Sequence, residues 1–357
     1  MTAVVVLADI PSTGFLTGQE AERIAPPAAR EPLDDAVERL CRLSETNEAV
    51  LVLRPAWLDG LGAKAVRMAR LALSTDRIAG ISLNLPPLAL SLIGDQLTFV
   101  APYIAPGKLA ALAGRLGQEI HSGAWLRSVA GLEHIPTGLG QHVASYVPGG
   151  GFLVSASPHQ EVRRLVKNGP VPPAAFRPAD PVHILAAREG ADGEWFNERF
   201  VPAAAAATVT FVDAQPLGRK FWGSGKYVEF VVLSGHPKAM PRAVAATRCE
   251  PCAWCGEPSG PAGCPFCGTC PPPGPGGVPQ EQAVGIVQDA GRPAPASGGV
   301  VQMARDERAA TMSLVTGPAA ESKLDRPRAV GPQIAGSRVG GAGTHAESPS
   351  EARSGVS

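Results

Sequence analysis

The chain is short of charge and of aromatic side chains. Of its 357 residues, 18% are charged and 5% aromatic, and 32 Lys plus Arg balance 32 Asp plus Glu. A net charge of zero excludes a global basic field for nucleic acid or an anionic membrane and leaves only local patches. Long apolar runs are also missing. The most apolar long stretch, Leu83 to Ile104, is interrupted by Pro86, Pro87, Gly94, Asp95, Gln96 and Pro102. Its unbroken part falls short of the ~18 residues that a membrane helix needs. The run from Met1 to Asp9 has no basic residue ahead of its apolar part, so it reads as a first strand rather than a secretory signal. These absences point to a cytoplasmic protein without a membrane partner, in a compartment where thiols stay reduced.

What the chain has in excess is glycine (41) and proline (36), unevenly spread. From Pro271 to Ser357 there are 14 Gly and 11 Pro in 87 residues, and the last aromatic residue is Phe266. Such a segment has too little apolar surface to offset its ordering entropy, and 271–357 is expected to be a disordered tail. One short helix near Val300–Leu314 is conceivable there. The tail carries eight basic and eight acidic residues and is no polybasic arm.

Residues 1–240 have the patterning of a globular α/β region, with a mostly parallel or mixed sheet and flanking helices. Val4–Ala8 is rich in β-branched residues. Leu33, Ala36, Val37, Leu40 and Cys41 share one helix face behind Pro32, which makes Cys41 a small core residue. Val50–Leu53 is continuous and apolar, as a strand buried on both faces is. Leu61, Ala65, Met68, Ala69 and Ala72 make a second helical stripe, and Ile78–Leu85 a third strand. This order implies parallel crossovers. Helices are expected over Pro87–Val100 and Lys108–Val129. After a Gly-rich break at 131–151, which can divide the region into two subdomains, strands are expected at Phe152–Ser155, Val182–Ala187, Thr208–Asp213 and Lys226–Leu233. Arg163–Val166 and Gly193–Ala206 read as helical.

The most specific pattern lies at 249–270: Cys249, Cys252, Cys255, Cys264, Cys267 and Cys270. Each half contains a Cys-x2-Cys-Gly knuckle, closed by Gly256 or Gly268. Two thiolates three positions apart bind one metal when the backbone turns tightly, and the glycine relieves that turn. Two such knuckles supply four thiolates at tetrahedral angles, which suits Zn2+. The segment resembles a miniature zinc ribbon. That resemblance covers 249–270 only and implies a closed, structural Zn2+ site with Cys252, Cys255, Cys264 and Cys267 as ligands. A nested set of Cys249, Cys252, Cys267 and Cys270 remains open, as does a four-thiolate iron–sulfur cluster. Trp254 and Phe266 either cover the metal or contact a partner.

Other candidates are less specific. Asp9, Arg54 and Asn84 stand at the carboxyl ends of the first three expected strands, and Ser12 and Thr13 sit in the turn after the first. That edge is where open α/β sheets bind ligands. The 131–159 loop holds Glu133, His134, His142, Ser145, Tyr146, Ser155, Ser157 and His159, a supply of acid–base groups without a Gly-x-Ser-x-Gly elbow or a His-Glu-x2-His motif. Arg219 to Tyr227 interleaves cations with aromatics, a combination that holds phosphates and stacks bases. Lys64, Arg67 and Arg70 form a basic helix stripe. The reading that results is a binding or adaptor protein with a structural zinc site and a protein partner. An enzyme at the sheet edge or the loop, and nucleic-acid binding through 219–227, are the alternatives.

Overall fold

A computed structural model describes residues 1–25, 33–58, 60–146, 150–166, 169–172, 176–191, 193–261 and 263–269. Pro32, Cys270, the expected tail and the helix near Val300–Leu314 lie outside them.

The first half builds a parallel sheet. Strand β1 (Thr2–Leu7) is followed by a short β2 (Glu22–Ile24), helix α1 (Asp34–Thr46), β3 (Ala49–Pro55), α2 (Leu61–Leu73) and β4 (Ile78–Leu83). The sheet order is β2-β1-β3-β4, all parallel, with Val5 opposite Val52 and Leu53 opposite Ile81. Continuous burial along Ala49–Leu53 follows from helices on both faces. Helices α1 and α2 cover one face through Ala36, Leu40, Ala65 and Ala69.

Helices α3 (Pro87–Val100) and α4 (Pro106–Glu119) cover the other face. Helix α3 is apolar nearly all round because it is enclosed on all sides. Its core joins Val6 and Leu53 of the first sheet to Leu185, Val231 and Leu233 of a second one. Gly94 permits this approach, since a Cβ there would stand 2.7 Å from Val6 Cγ2.

The second sheet begins with β5 (His121–Leu126), then α5 (Leu139–Ala144), β6 (Gly151–Ser157), β7 (Glu161–Leu165) and β8 (Val182–Glu189). A π-helical turn at Phe196–Phe200 runs into α6 (Val201–Ala203). Strand β9 (Thr208–Val212), α7 (Gly218–Trp222), β10 (Tyr227–Ser234) and α8 (Ala239–Ala246) follow. The order is β7-β6-β5-β10-β8-β9, antiparallel except for β8 beside β9. Phe196, Phe200 and Phe230 fill its far face, with the rings of Phe200 and Phe230 4.4 Å apart. Two tiny strands, β11 (Glu250–Pro251) and β12 (Pro258–Ser259), form the last hairpin.

The fold is the mixed α/β arrangement expected, with three local corrections. The helix expected over Lys108–Val129 stops at Glu119, and its second half is β5, because pairing on both sides with β6 and β10 outweighs the helical spacing of Leu112, Leu116 and Ile120. Arg163–Val166 is not helical: Arg163 and Arg164 lie in edge strand β7 opposite Leu153 and Phe152. The globular body also runs past residue 240, since α8 contributes Met240 and Ala243 to the core.

Candidate functional site

The two cysteine knuckles have the same local geometry. The Gly256 amide donates to the Cys252 carbonyl and the Gly268 amide to the Cys264 carbonyl, each at 2.9 Å. Both glycines take positive φ, +73° and +77°, so each closing turn needs a residue without a Cβ penalty. A second pair repeats outside them: Cys252 N donates to Glu257 O, and Cys264 N to Thr269 O, both at 2.9 Å. Folded this way, the knuckles bring four Sγ atoms within 4.8 Å of one another, those of Cys252, Cys255, Cys264 and Cys267. Cys252 and Cys267 are 3.5 Å apart, as are Cys255 and Cys264. Four sulfurs around one tetrahedral Zn2+ at ~2.3 Å stand about 3.8 Å from one another. The spacing therefore suits a single ion and is too tight to wrap a cage of several irons. Cys249 is not among the four.

The thiols do not ionise alike. Backbone amides of Cys255 and Trp254 point at Cys252 Sγ and bring its thiol down to about 7. Burial, then the neighbouring thiols, push Cys255 up to about 12. Four thiolates at this spacing would repel one another, and a divalent cation held there would supply the compensating positive charge.

The hairpin is docked against the body rather than held away from it. Cys252, Cys264 and Phe266 belong to the same core as α3 and α4. Glu257 Oε1 accepts the Gly107 amide at 2.7 Å, in the first turn of α4, and Arg70 of α2 reaches the Pro265 carbonyl. Arg70 is thus an anchor for the second knuckle rather than part of a free basic stripe. Phe266 is buried and covers the site, whereas Trp254 is 68% exposed. At Gly107 a Cβ would stand 1.8 Å from the Pro258 carbonyl oxygen. Gly107→Ala is accordingly expected to force the hairpin off α4 while leaving all four thiols intact. Limited proteolysis at the hairpin should speed up at least tenfold with unchanged metal content, and an unaltered cleavage rate would contradict the close docking.

A cavity of about 230 Å3 opens beside the same elements. Its walls are apolar: Phe15 after β1, Phe99 of α3, Leu116 and Ile120 at the end of α4, Leu233 of β10 and Met240 of α8. Polar side chains interrupt them, among them Gln96, Glu119, Arg177, His183, His236 and Arg242. Gln96 Oε1 is buried and, among the described residues, has no hydrogen-bond partner. His236 accepts the Lys238 amide at Nδ1, 3.0 Å, which leaves its Nε2 to donate. Arg242 is exposed at the rim.

The strand-edge candidates are dispersed. Asp9 and Asn84 are exposed, and burial followed by Arg67 lowers the pKa of the half-buried Arg54. Ser12 donates to Asp95 Oδ2 at 2.8 Å, and Asp95 also accepts the Arg23 guanidinium at 2.7 Å. Ser12 and Thr13 border a separate cleft with Phe211, Val212, Asp213 and Gln215, which Asp9, Arg54 and Asn84 do not line.

Several of the remaining loop candidates do structural work. His134 packs between Trp57 and Phe221, ring centroids 5.3 and 5.4 Å away. His142 bonds Thr137, Ser145 bonds the Val129 amide, and Ser157 bonds the Gly117 carbonyl. Glu133, Tyr146 and His159 are exposed. Ser155 meets a histidine absent from the sequence candidates, His121, at 3.0 Å. Burial holds His121 down at about 4, far from the neutral range that suits a general base. In 219–227, Phe221, Trp222 and Tyr227 are essentially inaccessible and Arg219 is paired with Glu189, so no aromatic face there is free to stack a base. No helix among the described residues is long and apolar enough to cross a membrane.

No family model and no curated protein matches the chain. Solved structures do. A DegV family protein from Corynebacterium glutamicum aligns with a TM-score of 0.47 at 13% identity, over 66% of this chain and 97% of that one. A DegV family protein from Eubacterium eligens loaded with heptadecanoic acid aligns at 0.43 and 10%, over 66% and 100%. A fatty-acid-binding DegV family protein from Thermus thermophilus aligns at 0.44 and 11%, over 65% and 99%.

Proposed function

We propose that this chain is a binding protein with a structural Zn2+ site, and that its ligand is a small apolar molecule with an anionic head. Cys252, Cys255, Cys264 and Cys267 would hold the ion in a closed tetrathiolate with no open position for catalysis. The observation that carries the binding reading is the cavity between α3, α4 and α8, whose apolar walls end at polar groups that include Gln96, Arg177, His236 and Arg242, with one carboxylate, Glu119, which is paired with Arg115. An apolar tail gains from leaving water along Leu116, Ile120 and Met240, and a carboxylate at the rim meets an imidazole donor and a guanidinium. The amide of Gln96 can be turned to donate or accept. At about 230 Å3 the space is below the ~300 Å3 at the lower end of drug-sized sites, which favours a chain of octanoate length.

Calorimetric titration with octanoate and hexadecanoate tests this. Octanoate is expected to bind at least tenfold more tightly. Ala239→Trp, which fills the cavity from the half-buried N-terminus of α8, should abolish binding with the unfolding temperature unchanged. Equal binding by the filled variant overturns the assignment. An adaptor role now rests on the exposed Trp254 alone, because Phe266 faces inward.

A further inference from the structure

The cleft between the turn after β1 and the end of β9 is a second site of different chemistry. It measures about 430 Å3 and is lined by Pro11, Ser12, Thr13, Phe211, Val212, Asp213 and Gln215. Both elements arrive there at the carboxyl end of a parallel strand pair, β1 with β3 and β8 with β9, the edge at which such sheets bind ligands. Gln215 is 3% exposed and lines the cleft, yet Oε1 has no partner among the described residues. A buried acceptor left unpaired is destabilising. A ligand that donates to it recovers that cost.

The remaining groups define the donor required. Asp213 is exposed and acceptor-only as a carboxylate. The Ser12 hydroxyl hydrogen is committed to Asp95, and its oxygen accepts the Gly14 amide at 3.1 Å, which leaves one lone pair. Thr13 is buried and its oxygen already accepts the Phe15 amide at 3.3 Å. The lining contains acceptors in excess, one carboxylate charge and no cation of its own. Arg23, behind Ser12, is neutralised by Asp95. Phe211, 47% exposed, adds an aromatic face. A neutral polyol needs donors as well as acceptors from its site. An ammonium group brings donors only, carries the complementary charge, and is attracted to an aromatic face.

We propose that this cleft binds a primary ammonium group, with Asp213 as counterion, Gln215 Oε1 and the Thr13 and Ser12 oxygens as acceptors, and Phe211 against the adjoining methylenes. The site is independent of the apolar cavity and of the thiolates, so it stands or falls apart from them.

The experiment is an NMR titration of the full chain at pH 7.5 and low salt with three probes: n-butylammonium, tetramethylammonium and D-ribose. Butylammonium is expected to shift the Thr13 and Gln215 amide signals saturably. Tetramethylammonium, equal in charge but without N–H donors, should bind at least tenfold more weakly, and ribose not at all. Asp213→Asn, a surface change compatible with folding, should weaken butylammonium at least tenfold, and Gln215→Leu should do the same. Absence of a saturable shift, tetramethylammonium binding as tightly as butylammonium, preferential ribose binding, or an unaffected Asp213→Asn variant would each overturn the proposal.

Discussion

Stripping the metal from the tetrathiolate is expected to lower the unfolding temperature of the whole protein, not of the hairpin alone. The reason is the docking. Cys252, Cys264 and Phe266 are part of the central core, Glu257 holds the first turn of α4, and Arg70 ties the second knuckle to α2. A hairpin with two-residue strands has almost no stability of its own, so an ion bound by the four thiolates would supply the free energy that keeps these contacts made. By mass action, free Zn2+ at a thousandfold excess over its dissociation constant stabilises by about 4 kcal/mol. For a body of this size that corresponds to roughly 8–16 °C. A strong chelator should produce a fall of that order in the wild-type protein. Cys264→Ser should lower the unfolding temperature similarly, abolish zinc binding, and remove the response to chelator. Cys249→Ser, outside the four-sulfur group, should retain one equivalent of zinc. The metal assignment fails if protein purified under reducing conditions binds no zinc and chelator leaves its unfolding unchanged.

A second large effect is expected to be hidden in the wild-type protein, because two buried groups titrate in opposition. Glu229 in β10 is wholly buried. Its carboxyl is pushed up to about 7 by burial, partly opposed by the Leu88 amide, which it accepts at 2.9 Å, and by the Trp222 indole. Folded protein therefore keeps a proton that unfolded protein loses near 4.5. The associated stability is present in full below 4.5 and is lost as pH rises to about 7. His121 runs the other way. Burial lowers it from 6.5 to about 4, so the unfolded chain takes up a proton that the folded chain refuses. Its stability contribution is present above 6.5 and lost as pH falls toward 4. Each shift corresponds to about 3 kcal/mol.

Between pH 4.5 and 6.5 the two slopes nearly cancel, and wild-type stability should be almost flat. Glu229→Gln, which keeps the acceptor for Leu88, is expected to expose the His121 slope, with stability rising by about 3 kcal/mol from pH 4 to 6.5. His121→Phe is expected to expose the Glu229 slope, falling by a similar amount from pH 4.5 to 7. Denaturant unfolding at half-unit pH steps measures both. Flat profiles in both single variants would show that neither group is desolvated as the structure implies.

The strands and helices legible in the sequence were those whose burial is repetitive. Val50–Leu53 reads as a covered strand because apolar residues occupy both of its faces, and α3 reads as a helix because it is apolar over four turns. The segments misread were those whose pattern is shared between two states. Leu112, Leu116 and Ile120 have helical spacing, but the chain turns at Ile120 and enters β5, with Gly123 packed against the Val154 carbonyl and Phe230. Arg163 and Arg164 sit in an edge strand with no apolar alternation to mark it. The aromatic-basic run at 219–227 left two readings open in the sequence, a nucleic-acid surface or aromatics packed inward, and Phe221, Trp222 and Tyr227 point into a core assembled from distant strands.

The sequence by itself determined the thiolate geometry. Cys-x2-Cys-Gly is a local instruction: each knuckle closes within five residues, through one carbonyl–amide bond and one glycine at positive φ. Only the tertiary structure decided that the hairpin clamps α4, that the apolar cavity reaches Gln96, and that Gln215 Oε1 is buried with no donor among the described residues. These depend on residues more than a hundred positions apart, such as Gly107 bonded to Glu257, or Thr13 and Gln215 lining one cleft. No local propensity encodes them, because they follow from which faces remain to be covered once both sheets have packed on α3 and α4.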